Sequence, residues 1–134
     1  MDIVMISKLI VQIFKFGIVG FFAFIIDYSV MVVLTEYIGF FYLISSTISF
    51  IVSLAFNYIF SMKFVFKRKE DFSRRREFFL FSLLSIIGLF INQISMWFLV
   101  EKLYITYKFG KIIATIIVMI WNFVSRKIFL ENHK

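Results

Sequence analysis

The sequence predicts an all-α integral membrane protein, and three observations carry this prediction. Hydrophobic residues make up 62% of the 134 residues, charged residues only 17%, and the mean hydropathy is +0.97. A soluble domain of this length has more polar surface, so the chain lacks the residues to coat a water-soluble globule. The apolar residues are gathered into four long runs, each close to the ~20 residues that a helix needs to cross a bilayer.

We predict four transmembrane helices, at about residues 16–34, 42–62, 78–100 and 109–130. Helices are expected because an open strand would leave its backbone groups unpaired in lipid. The preceding segment, residues 1–15, mixes apolar residues with Lys8 and Lys15. It either extends the first span or lies as a separate interfacial helix. It lacks a small-residue cleavage site, so we expect no cleaved signal peptide. Residues 1–134 are predicted to form one membrane domain.

The connections between the spans differ in length and charge. Residues 36–41 and 101–108 are short links, whereas residues 63–77 form a longer basic loop between the second and third spans. Twelve of the fifteen Lys and Arg residues fall on the side of this loop and of both chain ends: Lys8, Lys15, Lys63, Lys67, Arg68, Lys69, Arg74, Arg75, Arg76, Arg126, Lys127 and Lys134. The positive-inside rule predicts that this side is cytoplasmic, so both termini are expected inside. The net charge of +7 then serves topology and contact with membrane lipids, and we expect no nucleic acid as a partner.

The two halves of the sequence match each other when one is shifted by 65 residues. Polar residues meet without a gap: Asp27 with Asn92, Glu36 with Glu101, and Asn57 with Asn122. Each half contains two spans, so the shift predicts two helical hairpins of one design and one orientation. Such repeats are related by a pseudo-two-fold axis along the membrane normal, and function is expected at their interface.

Small and polar residues line one stripe of each predicted span. Glycines and serines on these stripes are typical of close helix packing. Six residues are harder to explain by packing: Asp27, Asn57, Asn92, Lys111, Asn122 and Arg126. The only acidic residue inside a span is Asp27, and three states stay open for it: an ion pair, a hydrogen bond to asparagine, or protonation. Near opposite ends of the last span, Lys111 and Arg126 can also extend to the membrane interfaces.

The residues that usually carry chemistry are scarce. The sequence contains no cysteine, and its single histidine, His133, is next to the C-terminal residue. Disulfides and thiolate chemistry are therefore excluded, and we expect neither a metal nor a cofactor. The loops are too short for a catalytic domain, so we expect no enzymatic activity.

Three segments give the chain a resemblance to the GtrA-like family. The first is Lys-Phe-Gly-Ile-Val-Gly at residues 15–20, followed by Asp27. The second is residues 57–66, which run from an asparagine and an aromatic residue through a cation to Phe-Val-Phe, and residues 122–129 repeat this pattern. The resemblance covers about residues 14–130. It is strengthened by the four spans and the basic central loop.

The resemblance implies a role in cell-surface polysaccharide or teichoic-acid glycosylation. Family members are thought to move a polyprenyl-phosphate-linked sugar, or the spent polyprenyl-phosphate (undecaprenyl phosphate) carrier, across the cytoplasmic membrane. They act beside membrane glycosyltransferases, which are therefore expected partners. Four helices make a thin bundle, so assembly into a homo-oligomer that completes the lipid path stays open.

Polar residues suited to binding such a lipid lie on the small and polar stripes of the predicted spans and at the ends of these stripes. The candidate phosphate- and sugar-binding residues are Asp27, Asn57, Lys63, Asn92, Lys111, Asn122, Arg126 and Lys127. Cations near both membrane faces suit phosphate, and amides between them suit phosphate or sugar hydroxyls. The chain departs from the family pattern at Met62, where arginine is common, and at Glu131, where an aromatic residue is common.

Two other functions stay open at this point. The chain can be a non-transporting accessory subunit of a membrane glycosyltransferase, with the basic loop as its contact surface. It can also be a small proton-coupled multidrug exporter that uses Asp27 as its proton and cation site. The bias of cations to one side and the gapless repeat argue against the exporter.

Overall fold

The computed structural model describes residues 2–69 and 73–132. Its four helices are α1 (Ile3–Val33), α2 (Tyr42–Phe60), α3 (Arg74–Trp97) and α4 (Tyr107–Phe129), and single π-helical turns extend the first three at Leu34–Ile38, Ser61–Val65 and Phe98–Lys102. All four helices are long and apolar enough to cross a membrane. The predicted all-α fold with four spans is therefore confirmed. His133, Lys134, Glu70 and Asp71 lie outside the described residues.

The first helix is much longer than the predicted span 16–34. It begins at Ile3, and the Asp2 carboxylate caps it by accepting a 2.8 Å hydrogen bond from the backbone N–H of Met5. The N-terminal segment thus extends the first span, which is one of the two alternatives that the sequence leaves open. With its π-helical turn the helix has 36 residues, or roughly 54 Å against ~30 Å of hydrocarbon. The usual tilt of up to about 40° does not absorb this difference, so the first turns of α1 project beyond the hydrocarbon core.

The helices pair in chain order. α1 packs chiefly on α2 and α3 on α4, and lesser contacts between α2 and α3 and between α1 and α4 complete the bundle. The two hairpins turn alike at their tips. Gly39 and Tyr104 take positive φ angles of 90° and 57°, and Phe40 and Ile105 each donate a 3.0 Å backbone hydrogen bond to the carbonyl six residues earlier. Both pairs of positions are separated by the same 65 residues that relate the halves of the sequence.

The basic loop is shorter than the predicted residues 63–77, because α2 continues into its π-helical turn and α3 begins at Arg74. Beyond α4 the chain returns to this loop. Arg68 and Glu131 form an antiparallel bridge, and the backbone N–H of Asn132 donates to the Lys67 carbonyl at 2.7 Å. The loop, the C-terminal residues and the first turns of α1 therefore meet at one end of the bundle, which we call the terminal end.

The bundle is apolar outside and polar inside, with apolar packing toward each end. At the terminal end, the rings of Phe16, Phe66 and Phe123 form a triangle with centroids 5.2–6.0 Å apart. Toward the hairpin tips, Met31 and Met96 are fully buried. Many large apolar side chains point outward and are exposed, which suits a surface in contact with lipid. Charged and amide side chains lie between the two apolar clusters.

Candidate functional site

An ion pair lies inside the bundle between α1 and α4. The Lys111 ammonium nitrogen is 2.9 Å from Oδ2 of Asp27, and Lys111 is fully buried. The hydroxyl of Ser49 donates a 2.5 Å hydrogen bond to the other carboxylate oxygen of Asp27. Of the three states open for Asp27, the structure thus contains the ion pair. It also turns the Lys111 side chain inward, so this lysine does not extend to the membrane interface.

The other protons of the Lys111 ammonium are also bound. Nζ donates to Ser46 Oγ at 3.1 Å and to Asn92 Oδ1 at 3.2 Å, and the Asn92 amide donates to the same hydroxyl at 2.9 Å. An ammonium group has three donors, so Asp27, Ser46 and Asn92 use them all. The 65-residue shift relates Asp27 to Asn92 and Ser46 to Lys111. The same contact therefore occurs twice, once as an ion pair and once as a neutral hydrogen bond.

A second cation, Arg126 near the end of α4, is buried without an acidic partner. Its exposed fraction is 1%, and its guanidinium lies 4.1 Å from the ring centroid of Phe81. Nη1 donates to Asn57 Oδ1 at 2.8 Å and to Ser61 Oγ at 3.4 Å, whereas Nε has no hydrogen-bond partner. Within residues 2–69 and 73–132, no carboxylate lies within ion-pair distance of it. Arg126 therefore lies inside the bundle instead of extending to the interface, and the described residues provide no counter-ion for it.

A small cavity lies among these polar groups. Five predicted site residues line it: Asp27, Asn57, Asn92, Asn122 and Arg126. Its volume is about 40 Å³, which accommodates about three water molecules at ~10–15 Å³ each but is too small for a sugar. Asn122 faces Gly88 of α3, and its Oδ1 is buried without a hydrogen bond. The interior is thus too narrow for a sugar, yet it retains polar atoms that lack partners.

The two remaining lysines of the predicted set lie outside this cavity. Lys63 is exposed, with its ammonium 5.3 Å from the ring centroid of Phe64. Lys127 lies at the terminal end, where it donates to Gln12 Oε1 at 2.6 Å and to Glu131 Oε1 at 2.7 Å. Five of the eight predicted residues therefore line the cavity and a sixth pairs with one of them, whereas these two stand apart.

Two tyrosine–glutamate contacts at the hairpin tips are absent from the predicted set. The Tyr42 hydroxyl donates to the Glu101 carboxylate at 2.9 Å, and the Tyr107 hydroxyl donates to the Glu36 carboxylate at 2.5 Å. Each tyrosine begins its helix and reaches the tip of the other hairpin. The 65-residue shift relates the two contacts to each other. The shift that aligns the two glutamates in the sequence also aligns the two tyrosines, and this signal could have identified the contacts.

The fold and its interior define a small four-helix membrane protein with a polar core that holds two cations. In the described part of the chain, no three His, Cys, Asp or Glu side chains gather as a metal site would require. Comparison with known families matches residues 15–130 to the GtrA/DPMS transmembrane domain. The chain belongs to this family, and the resemblance found in its motifs is confirmed. It is thus a membrane protein related to polyprenyl-phosphate sugars and to the context of membrane glycosyltransferases. No curated protein and no solved structure matches the chain.

Proposed function

We propose that the protein translocates a polyprenyl-phosphate-linked sugar, or the spent polyprenyl-phosphate carrier, across the cytoplasmic membrane. The movement would serve cell-surface polysaccharide or teichoic-acid glycosylation. Family membership supports the class of lipid. The observation that carries the proposal is Arg126, a fully buried cation with no counter-ion among the described residues. The proposed step moves a lipid and involves no covalent reaction.

A lipid phosphate has the chemistry of the missing counter-ion. Arg126 lies near the end of its span, but burial inside the bundle removes its guanidinium from water. Charged residues within a span commonly mark a substrate path. The planar guanidinium matches the geometry of phosphate oxygens, and Nε of Arg126 is still without a hydrogen bond. One helical turn away, the unpaired Oδ1 of Asn122 can accept a hydrogen bond from a sugar hydroxyl.

Lys111 provides a second cation on the same helix. Fifteen residues separate it from Arg126, or roughly 22 Å along the helix axis. The two cations therefore lie toward opposite ends of the span, with Asn122 between them. In the closed bundle Asp27 neutralises Lys111. A phosphate that approaches Lys111 competes with the Asp27 carboxylate for the same ammonium group.

Translocation requires the bundle to open, because the central cavity is too small for a sugar. The packing between the hairpins is less extensive than the packing within each hairpin. The boundary between α1–α2 and α3–α4 is therefore the natural place for helices to separate. The two tyrosine–glutamate contacts bridge this boundary at the tips.

The proposal is tested by reconstituting the purified protein in vesicles with a short-chain fluorescent polyprenyl-phosphate sugar. The accessibility of the head group on each side reports its movement. We expect Arg126→Gln to slow movement about ten- to hundredfold, because it removes a charge-assisted contact of about 1.5–3 kcal/mol. Ile120→Ala is the matched control, since Ile120 lies on the same helix and is 65% exposed on the outer surface. Unchanged movement in the Arg126 variant would refute the proposal.

The closed interior also favours a second function, that of a non-transporting accessory subunit of a membrane glycosyltransferase. Its polar interior would then serve helix packing alone. The vesicle assay separates the two functions because it contains no glycosyltransferase. An accessory subunit would leave the lipid where it started and would raise glycosyltransferase activity when the enzyme is added. A cationic-drug exporter is disfavoured, because Asp27, its expected cation site, is already paired with Lys111. Arg126 would also repel a further cation.

A further inference from the structure

We propose that a groove at the terminal end binds the phosphate of a single-chain lipid phosphate monoester at a site separate from the central cavity. The groove lies between the first turns of α1, the end of α2 and the residues after α4, and its volume is about 680 Å³. This size falls within the ~300–1,000 Å³ of ligand sites. The inference rests on the proposed function. Of the two lipids named there it concerns the spent polyprenyl-phosphate carrier, which is a monoester, whereas the sugar-linked lipid is a diester.

The groove carries an excess of positive charge. Four lysines and one glutamate line it: Lys8, Lys15, Lys67, Lys127 and Glu131. Lys127 and Glu131 pair with each other at 2.7 Å. Within the described chain, no carboxylate lies within ion-pair distance of the other three lysines. The groove thus presents three ammonium groups without an acidic partner.

The number of unpaired lysines favours a monoester over a diester. A phosphate monoester carries about −1.5 to −2 charges at pH 7 and three strong acceptor oxygens. A phosphodiester head group, as in common anionic phospholipids, has one phosphate charge and fewer free oxygens. Three ammonium donors around one groove therefore match the dianion better.

The first turns of α1 present one polar face and one apolar face. Lys8, Gln12 and Lys15 are spaced four and three residues apart, so they share the face that lines the groove. Gln12 fixes the floor of the groove, because it bonds Lys127, Glu131 and the Val65 carbonyl. The opposite face carries four exposed isoleucines: Ile3, Ile6, Ile10 and Ile13. Both faces belong to the continuous helix α1, so its first turns present ammonium groups and apolar side chains side by side.

The apolar part of the groove wall suits a single lipid chain. Met5, Leu9, Val11 and Val65 line the same groove as the lysines. When the lysines hold the phosphate, the hydrocarbon chain of the lipid can therefore extend out of the groove along these apolar side chains. This combination of an anionic head and one apolar tail defines the ligand class.

The test measures binding of farnesyl phosphate to the full-length protein in detergent by native mass spectrometry. Phosphatidylglycerol and inorganic phosphate are the comparison ligands. We expect wild type to prefer farnesyl phosphate to both. Lys8→Gln with Lys15→Gln should weaken its binding roughly 30-fold at low salt, or about fivefold for each surface lysine.

The matched control is Arg74→Gln with Arg75→Gln, which removes the same charge from the same end but outside the groove. It should leave farnesyl phosphate binding within about twofold of wild type, since charge alone acts weakly across salt-screened distances. Size-exclusion elution shows whether each variant is folded. If the α1 double variant fails to fold, Lys67→Gln in the loop should still give the fivefold loss.

Two results would overturn the inference directly. If both double variants lost farnesyl phosphate binding equally, general surface charge and not the groove would explain the binding. Equal affinity for phosphatidylglycerol would show that the protein has no preference for a monoester. Lost groove binding with normal translocation of a polyprenyl phosphate monoester in the same vesicles would also refute it. Normal groove binding without translocation by wild type would instead refute the proposed function and leave the groove standing.

Discussion

Lys111 and Arg126 show two ways of burying a cation in one helix. The Lys111 ammonium has an acidic partner and two further acceptors, so every donor is used. The Arg126 guanidinium has an aromatic ring and two polar neighbours, yet it lacks a carboxylate and leaves Nε unbonded. The charge and the hydrogen-bond donors of Lys111 are thus all satisfied inside the bundle. The charge of Arg126 can be satisfied only by an anion from outside the described chain, and for this reason we propose that the phosphate binds there.

Replacing Lys111 alone should destabilise the bundle. Lys111→Met strands the Asp27 carboxylate among buried groups, and we expect a loss of about 3–5 kcal/mol in the free energy of unfolding. Asp27→Asn combined with Lys111→Met should recover most of this loss, because no buried charge is then left unpaired. Denaturant unfolding in detergent, followed by tryptophan fluorescence, measures both values. A double variant as unstable as the single one would contradict the pairing.

The sequence was sufficient to find these residues but not their partners. Polar side chains inside apolar runs are conspicuous, and this drew attention to Asp27, Lys111 and Arg126. Their partners depend on which helix faces meet, and hydropathy does not report that. For this reason the sequence left two positions open for Arg126, the membrane interface and the interior, and the structure has the interior one. Asn57 and Phe81, on two other helices, provide an interior position that only the folded bundle creates.

At the scale of helices, the sequence pattern does not predict the structure of the hairpin tips or where the helices begin and end. Hydropathy located all four spans, but it left the start of the first helix open, because Lys8 and Lys15 interrupt the apolar run in the segment with which α1 begins. The π-helical turns that prolong α1, α2 and α3 have no evident sequence signal. Single π-helical turns are rare and are frequent at functional sites.

The equivalent contacts at the tips should contribute equally. Tyr42→Phe and Tyr107→Phe each remove one hydroxyl–carboxylate hydrogen bond, worth about 1 kcal/mol net. We expect each change to speed amide exchange at the tips by about fivefold. Tyr37→Phe is the control, because that side chain is 82% exposed at the same end. Hydrogen–deuterium exchange with mass spectrometry measures the rates. Unequal effects of the two tyrosines would show that the contacts are not equivalent.

At the scale of the whole molecule, two hairpins enclose a polar interior. The 65-residue shift relates the tip contacts, the positive-φ residues and the contact made by Asp27 in one case and by Asn92 in the other. The sequence predicted the pairing of spans because short links force consecutive helices together. It did not predict the closed state of the cavity, since cavity size depends on how four helix faces fit.

The predicted orientation is open to a direct test because the chain has no cysteine. Arg75→Cys introduces one thiol near the start of α3, and Tyr104→Cys introduces one at a hairpin tip, where the native side chain is 89% exposed. With both termini in the cytoplasm, a membrane-impermeant maleimide added to intact cells should label only the tip thiol. Labelling of the Arg75→Cys variant alone would reverse the topology.

The buried guanidinium of Arg126 also affects how easily other cations could pass through the bundle. A fixed positive charge in a low-dielectric interior raises the electrostatic energy of any second cation that approaches it. Channels that pass water exclude protons and metal ions by the same means. In the proposed function, a bundle that hydrates while it opens for an anionic lipid would therefore leak few cations. Arg126, which we propose to bind phosphate, would also limit the loss of the ion gradients of the cell.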